Sequence, residues 1–252
     1  MPKKPLLPLF LIISISLLAC EDETVLVRIE KRDTIIGCTG VELSHLSGQF
    51  DPSQDSSFAV IPQKYTTKER IFMRTEALDA FQVMWQAAND DGINLTILSA
   101  ARNWTYQRGI WNRKWKSDRY HNFEGVDRAI EILKYSAMPG SSRHHWGTDI
   151  DLNAFENKWF EEDPLGIATY EWLREHAPAH GFLQVYGDQS NGRTGYREEK
   201  WHWSYMPIAA ECLKCYLSTL NGNKFQGFDG AQWADSLRII ERYVGGIDGK
   251  TP

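Results

Sequence analysis

The sequence lacks three motifs that identify large enzyme classes. It contains no glycine-rich phosphate-binding loop, no Gly-x-Ser-x-Gly segment and no His-Glu-x-x-His segment. These motifs are typical of nucleotide-binding enzymes, of serine hydrolases with a nucleophile elbow, and of a widespread type of zinc peptidase. Their absence argues against all three classes, so any chemistry must come from another arrangement of side chains.

Positive charge is also scarce. The chain has 28 Lys and Arg residues against 33 Asp and Glu residues, a formal charge of −5. Removal of a leader containing Lys3 and Lys4 would leave 26 basic against 33 acidic residues, a charge of −7. Binding to nucleic acid depends on clustered Lys and Arg side chains. The composition therefore predicts no nucleic acid partner.

The chain has one long apolar run, Leu6–Leu18, which is too short to span a bilayer comfortably. It follows two lysines and ends at Leu17-Leu18-Ala19-Cys20, which resembles a bacterial lipoprotein cleavage box. We therefore expect residues 1–19 to be a lipoprotein signal peptide and Cys20 to be lipidated. The protein would be exported and anchored by lipid to a bacterial membrane, at the periplasm or the cell surface. A plain secretory signal and an uncleaved anchor are the alternatives.

Cysteine is rare, and beyond Cys20 the count is odd: Cys38, Cys212 and Cys215. Export implies an oxidising compartment. We expect one disulfide from Cys38 to the helix predicted over 209–220, with one thiol left over. Cys212 and Cys215 have the spacing of a redox motif, but they lie within that predicted helix.

Hydrophobic periodicity indicates several helices separated by short strands. The predicted helices cover residues 75–89, 104–120, 124–137, 164–177, 209–220 and 230–244. The predicted strands cover 93–100, 148–153 and 199–205. This alternation of helices with a few strands predicts an α+β fold.

Two segments carry the chemistry, Ser142–Asp151 and Glu199–Trp203. Zinc binds His nitrogen and Asp oxygen, and catalytic zinc sites commonly use three protein ligands. His144, Asp151 and His202 would form such a set, leaving Glu199 to act on the water. Pleating places Asp149 on the same face as Asp151, so geometry alone leaves open which carboxylate binds the metal. Glu199 needs a bend at Lys200 to face the same way as His202.

The pattern Ser-x-His-x-x-Gly-x-x-x-Asp, followed by Glu-x-Trp-His, resembles the zinc D-alanyl-D-alanine carboxypeptidases and dipeptidases of the vancomycin-resistance type. Their metal-site architecture is shared with lysostaphin-like endopeptidases and the hedgehog signalling domain. The segment Ser99-x-x-Arg102-x-x-x-x-Gln107 resembles a further motif of the family. The resemblance covers about Phe58 to Tyr205 and implies a small antiparallel sheet that carries one zinc ion and is flanked by several helices.

The resemblance also implies a role for each matching residue. His144, Asp151 and His202 bind zinc, Glu199 is the general base for a zinc-bound water, and Arg102 holds the substrate carboxylate or the oxyanion. The remaining matches, Ser142 and Gln107, would contact substrate. Asp149, which shares a strand face with Asp151, would contact substrate or orient a metal ligand.

The positions of these motifs along the chain also indicate the domain organisation. We expect a tether and N-terminal extension over 20–57, a zinc peptidase domain over 58–222 and a C-terminal helical extension over 223–252. The predicted function is a D,D-carboxypeptidase acting on the terminal D-Ala-D-Ala bond of peptidoglycan stem peptides. The alternatives are an endopeptidase or dipeptidase with the same metal site, and a non-catalytic zinc-containing binding module, against which Glu199 argues.

Overall fold

The computed structural model describes Cys38, residues 41–220 and residues 225–248. The predicted signal peptide, Cys20 and the acidic residues that follow it lie outside these residues. Within the described part of the chain, no helix is both long enough and apolar enough to cross a membrane.

The described residues form an α+β fold with two small antiparallel sheets, which confirms the predicted fold class. Strands β1 and β2 form a two-stranded hairpin. Strands β3, β4, β6 and β5 form a four-stranded sheet in that order. The strand bounds are Phe58–Val60 (β1), Phe72–Arg74 (β2), Ile97–Ser99 (β3), Asp149–Leu152 (β4), Phe182–Leu183 (β5) and His202–Tyr205 (β6).

Helices pack around the four-stranded sheet. Their bounds are Leu43–Ser47 (α1), Thr75–Asp90 (α2), Trp104–Trp115 (α3), Gly125–Leu133 (α4), Asn157–Glu162 (α5), Pro164–His176 (α6) and Met206–Thr219 (α7). Asp163 caps α6, because its carboxylate accepts hydrogen bonds from the Leu165 and Gly166 amides and Pro164 occupies the first turn. Asn103 caps α3 in the same way, through the Tyr106 amide.

The register of the central strands divides the sheet into two chemically different faces. In the β4–β6 pair Asp149 lies opposite Ser204, Ile150 opposite Trp203, and Asp151 opposite His202. Directly opposed residues share a face of an antiparallel pair. One face is therefore polar, while Ile150, Leu152, Trp203 and Tyr205 belong to an apolar core that α2 and α6 also line.

A second apolar core connects both ends of the described chain with its middle. It contains Leu46 of α1, Trp111 of α3, Ile132 of α4, Tyr216 of α7 and Val244 near the C-terminus. Residues on either side of the predicted peptidase domain thus pack into one core with it.

Two predicted elements differ from the structure, one in its first residue and the other in its type. The strand predicted over 199–205 begins only at His202, because residues 199–202 form a turn in which the His202 amide donates to the Glu199 carbonyl at 3.2 Å. The helix predicted over 230–244 is instead a short 3-10 turn, Ala231–Trp233, and a π-helix, Ile240–Val244. Between them Arg238 adopts a φ of 53°, which interrupts a helix.

Candidate functional site

The polar face of β4 and β6 meets the loop that precedes β4. Residues Arg143–Trp146 form a 3-10 helix, which directs His144 toward the sheet. Gly147 ends this helix with a φ of 72°, and a Cβ atom there would lie 2.2 Å from the Phe58 ring. Only glycine fits this position, which explains the glycine of the Ser-x-His-x-x-Gly pattern.

His144, Asp151 and His202 converge at one buried point. Each offers a ligand atom, and these atoms lie within 4.8 Å of one another. The two imidazole rings are nearly perpendicular, at 79°, with centroids 4.9 Å apart. Asp151 approaches both rings, because its carboxylate oxygens lie 3.4 Å from His144 Nε2 and 3.1 Å from His202 Nδ1. These three side chains could hold a divalent cation.

Hydrogen bonds to the opposite ring nitrogens fix the orientation of both imidazoles. His144 Nδ1 donates to the Ala100 carbonyl at 2.8 Å, and His202 Nε2 pairs with Asp149 at 2.9 Å. Metal-binding histidines typically use their second nitrogen in this way. His144 Nε2 is buried and has no hydrogen-bond partner among the described residues. A lone pair that is buried without a partner is expected where a metal ion belongs, and two nitrogens with one carboxylate form a donor set that suits zinc.

Asp149 lies behind His202. It is fully buried and accepts hydrogen bonds from Arg143 Nε at 2.9 Å and from the Ser204 and Thr148 hydroxyls at 2.8 and 2.7 Å. Burial raises the pKa of Asp149, but the Arg143 guanidinium and the hydrogen bond from His202 outweigh it, and the pKa lies far below the usual range. Asp149 is therefore ionised and enclosed by protein groups.

In the absence of a cation, the carboxylates also control the protonation of His202. Burial lowers its pKa, but the hydrogen bonds to Asp149 and Asp151 raise the pKa of His202 to about 9. The pKa of His144 is lowered, chiefly by burial and then by Arg102. The two rings thus differ in proton affinity because only His202 is held between two carboxylates.

Glu199 lies at the edge of this cluster. Its side chain is buried, and Oε2 is 3.7 Å from His202 Nδ1. The turn that ends at His202 supplies the bend that the sequence required between these two residues, and Asn157 fastens the turn by accepting from the Lys200 amide at 3.0 Å. Burial, the largest effect, raises the pKa of Glu199 to about 8.

Arg102 follows β3 and reaches the same cluster. One guanidinium nitrogen lies 3.7 Å from the Asp151 carboxylate, and Nε is buried without a hydrogen-bond partner in the part of the chain that the structure describes. The Arg102 amide donates to the His144 carbonyl at 3.0 Å, and the Arg102 carbonyl contacts His145 Nδ1 at 2.6 Å. Arg102 is thus tied to both histidines of the loop.

A small cavity, of about 40 Å³, opens over the cluster. Ser142, Arg102, Glu199, His144 and His202 line it, together with Arg143, Tyr135, Ser136, Ala137, Tyr186 and Tyr196. Gln107 is not among its lining residues. The Gln107 side chain is buried one layer behind, where Nε2 donates to the Ala137 carbonyl at 2.8 Å.

Sequence reasoning missed several of the lining residues. Tyr186 and Tyr196 flank the glycine-rich turn 187–195, and their rings pack edge to face with centroids 5.0 Å apart. The turn brings the chain back across the cavity. The signal in the sequence was therefore the pair of aromatic residues on either side of a glycine-rich segment. Arg143 was also missed, although a charged residue inside a buried motif requires a partner.

Comparison with known proteins gives a consistent result. The family model for VanY, described as D-alanyl-D-alanine carboxypeptidase, matches residues 70–208. The chain is 29% identical over 166 residues to the YodJ protein of Bacillus subtilis, covering 64% of this chain and 56% of that protein. It is 27% identical over 175 residues to a D-alanyl-D-alanine carboxypeptidase of Enterococcus faecalis, covering 63% and 62%. The matches thus span less than two thirds of either relative.

Among solved structures, the fold is similar to that of the LdcB LD-carboxypeptidase. The TM-score is 0.51 at 20% sequence identity, over 80% of this chain and 81% of that chain. This similarity concerns the fold.

Proposed function

The chain belongs to the VanY family of D-alanyl-D-alanine carboxypeptidases, and on this premise we propose that it is a zinc-dependent D,D-carboxypeptidase acting on peptidoglycan stem peptides. The observation that carries the proposal is the convergence of two oriented imidazoles and one carboxylate beside a second, buried carboxylate. His144, Asp151 and His202 would hold one zinc ion per chain. Zinc supplies Lewis-acid chemistry, polarising a carbonyl group and lowering the pKa of water to about 7.

Glu199 is proposed as the general base and then the general acid. It would take a proton from the attacking water and deliver it to the leaving amine. Its pKa of about 8 without a cation reflects burial, and a nearby positive charge favours the ionised form. The carboxylate would therefore be available near neutral pH. A purely binding module has no need of a buried carboxylate at this point.

Arg102 is proposed to hold either the terminal carboxylate of the substrate or the oxyanion that forms during hydrolysis. The guanidinium is a fixed, permanently charged donor, and its Nε has no hydrogen-bond partner within residues 41–220 and 225–248. Loss of a donor to an oxyanion typically lowers turnover by about 10²–10³-fold. Ser142 would contact substrate from the same cavity.

The roles of Asp149 and Gln107 are proposed to be indirect. Asp149 has no exposed surface, which favours the ligand-orienting alternative over substrate contact. Gln107 would support the segment at Ala137 that lines the cavity. Both side chains would thus position groups that meet the substrate.

The family and the relatives support a carboxypeptidase over an endopeptidase. The Enterococcus faecalis relative is named for D-alanyl-D-alanine carboxypeptidase activity.

The proposed site of action rests on the N-terminal sequence. We propose that Cys20 is lipidated and anchors the exported protein to a bacterial membrane, in the periplasm or at the cell surface. The partner there would be the peptidoglycan stem peptide and not a nucleic acid. The acidic residues after Cys20 would serve as a short tether. The substrate is a wall polymer outside the cytoplasm, so an exported, tethered enzyme would meet it directly.

The proposal is tested by incubating purified protein with peptides that end in D-Ala-D-Ala and measuring released D-alanine. We expect release from wild type, loss with a chelator and recovery with zinc. Glu199→Ala and Glu199→Gln should retain about one zinc per chain and the fold but lose release by at least about 10²-fold, because neither side chain can accept the proton. A zinc-loaded Glu199→Ala protein that works at close to the wild-type rate would contradict the role of Glu199.

A further inference from the structure

A second, much larger depression lies beside the small cavity. This groove has a volume of about 830 Å³ and shares Tyr135 with the cavity. One side is formed by α3 and the residues after it, and the other by residues 155–158 and Trp201. The groove therefore runs directly into the proposed active site.

The groove is positively charged on a protein that is negatively charged overall. Arg113, Lys114, Arg119 and Lys158 line it, and Glu156 is the one acidic residue among its lining residues. The whole chain carries a formal charge of −5. A cleft lined by charge of one sign attracts ligands of the opposite sign. The occupant that suits this groove is therefore anionic.

Among the cations that line the groove, Lys114 is the one whose position is least explained by its protein contacts. It is half-buried, and within the described residues its amine makes no ion pair or hydrogen bond. Nearby lysines differ in this respect: Lys116 lies 3.7 Å from Asp229, and Lys200 lies 2.9 Å from Glu161. Burial lowers the pKa of Lys114, the Glu199 carboxylate opposes this effect, and the positive charges of Arg102 and Arg119 lower the pKa further. A carboxylate from a ligand would relieve this unfavourable placement.

Aromatic side chains supply the remaining contact surface. Tyr135 and Phe155 are 40% and 54% exposed, and the Tyr135 ring lies 6.1 Å from the Trp201 ring. Exposed aromatic faces next to cations suit an extended peptide that alternates apolar and acidic groups.

We propose that this groove binds the part of the substrate that precedes the scissile bond, and that Lys114 pairs with a free carboxylate on that part. This inference rests on the proposed function. The groove takes the acidic stem peptide, and Lys114 lies close enough to Glu199 for their charges to interact. The enzyme then discriminates between stem peptides by their charge.

The experiment compares two stem pentapeptides ending in D-Ala-D-Ala, one with the D-glutamate carboxylate free and one with that group as the neutral amide. A hydrogen bond to a charged group is stronger than one to a neutral group. We therefore expect wild type to favour the free acid by about tenfold in kcat/KM, mainly through KM. Lys114→Met should abolish this preference, and any effect of the lost charge on Glu199 should change both rates by the same factor. Lys114→Arg, which keeps the charge, should retain most of it.

Lys116→Met is the matched control, because Lys116 is exposed and faces Asp229; it should keep the wild-type preference. The proposal is overturned if wild type cleaves both peptides equally, or if Lys114→Met keeps the wild-type preference for the free acid. If wild type cleaves neither peptide, the proposed function fails. Calorimetry with the same two peptides then tests whether the groove binds them. Stronger binding of the free acid that is lost in Lys114→Met supports the groove, and equal binding overturns it.

Discussion

Two carboxylates of β4 face His202 from opposite sides of its ring. Asp151 lies 3.1 Å from Nδ1, and Asp149 lies 2.9 Å from Nε2. Only Asp151 also reaches His144. The two carboxylates are therefore equivalent in sequence pattern but differ in what they can bind.

This difference leads to opposite expectations for the two substitutions. Asp151→Ala should leave no stoichiometric zinc, because it removes one of three ligands. Asp149→Asn should keep zinc with an affinity lowered by about 10–100-fold, the usual cost of losing a group that orients a ligand. Metal analysis after dialysis against a weak chelator measures both. Zinc retained by Asp151→Ala and lost by Asp149→Asn would mean that the ligand is Asp149.

Arg143 provides a control for the Asp149 variant. Its Nε contacts Asp149 at 2.9 Å, and both side chains are fully buried. Asp149→Asn leaves this guanidinium without a counter-charge, which typically costs about 3–5 kcal/mol. The double variant Arg143→Met with Asp149→Asn should therefore have a higher melting temperature than Asp149→Asn alone. The comparison separates loss of stability from loss of metal affinity.

At the scale of elements, the 3-10 helix Arg143–Trp146 determines where His144 points. Gly147 ends that helix in the left-handed region, against the Phe58 ring of β1. Gly147→Ala should destabilise the fold by roughly 2–4 kcal/mol, because a side chain in this conformation is strained and the ring must move. Chemical denaturation measures the loss. In a Phe58→Ala background, Gly147→Ala should cost less stability, because the clash with the ring is gone and only the backbone strain remains. Unchanged stability in Gly147→Ala would contradict this packing.

Prediction from sequence succeeded for elements that are defined by local pattern. Helix α2 was expected over 75–89 and covers Thr75–Asp90, because its apolar residues repeat along a full amphipathic face. The spacing of the motif residues also predicted the cluster around His144 and His202. The helix depends on neighbours in the chain, whereas the cluster joins Asp151 to His202 across 51 residues and was expected from the family resemblance.

Prediction failed where tertiary contacts determine the backbone. The turn at Lys200 depends on Asn157, which is 43 residues earlier in the chain. The segment 230–244 has helical periodicity, yet Gly195 and Gly246 pack so closely on its Arg242 backbone that neither has room for a Cβ atom. The groove likewise combines α3 with residues 155–158, and no local pattern could join them.

Helix α1 is connected to the β1–β2 hairpin through His45. Its Nε2 lies 2.6 Å from Asp55, and Arg74 donates to Nδ1 at 2.9 Å. The ring is therefore neutral, with its proton directed to Asp55. Burial, and then the charge of Arg74, lower the pKa of His45 below 6.5 despite the opposing effect of Asp55.

A lowered pKa in the folded state fixes the sign of the pH dependence. The stabilisation is complete above the unfolded pKa of about 6.5, and it is lost as the pH falls through the folded pKa, because the unfolded state then binds the proton more readily. Between pH 7 and 5.5, the melting temperature of wild type should fall further than that of His45→Gln, which has no titrating group at this position. Parallel pH profiles for the two proteins would contradict this assignment.

At the scale of the whole molecule, one covalent bond connects the start of the described chain to the helix behind the site. Cys38 and Cys215 form a disulfide, as expected, across a sequence separation of 177 residues, and Cys212 is a buried free thiol. The helix that carries Cys215 follows β6 directly, and its Tyr216 hydroxyl donates to the Gly140 carbonyl at 2.6 Å. The disulfide therefore constrains the helix that supports the loop before His144.

Loss of this bond should lower stability more than loss of any single surface contact. Closing so long a loop restricts the unfolded chain, and disulfides of this kind contribute about 2–5 kcal/mol. The double variant Cys38→Ser with Cys215→Ser should therefore melt at a clearly lower temperature than wild type. A reductant should lower the melting temperature of wild type toward that of the variant and should leave the variant unchanged. If the reductant lowers both equally, the redox-sensitive group is another cysteine, and Cys212 would be the first to replace.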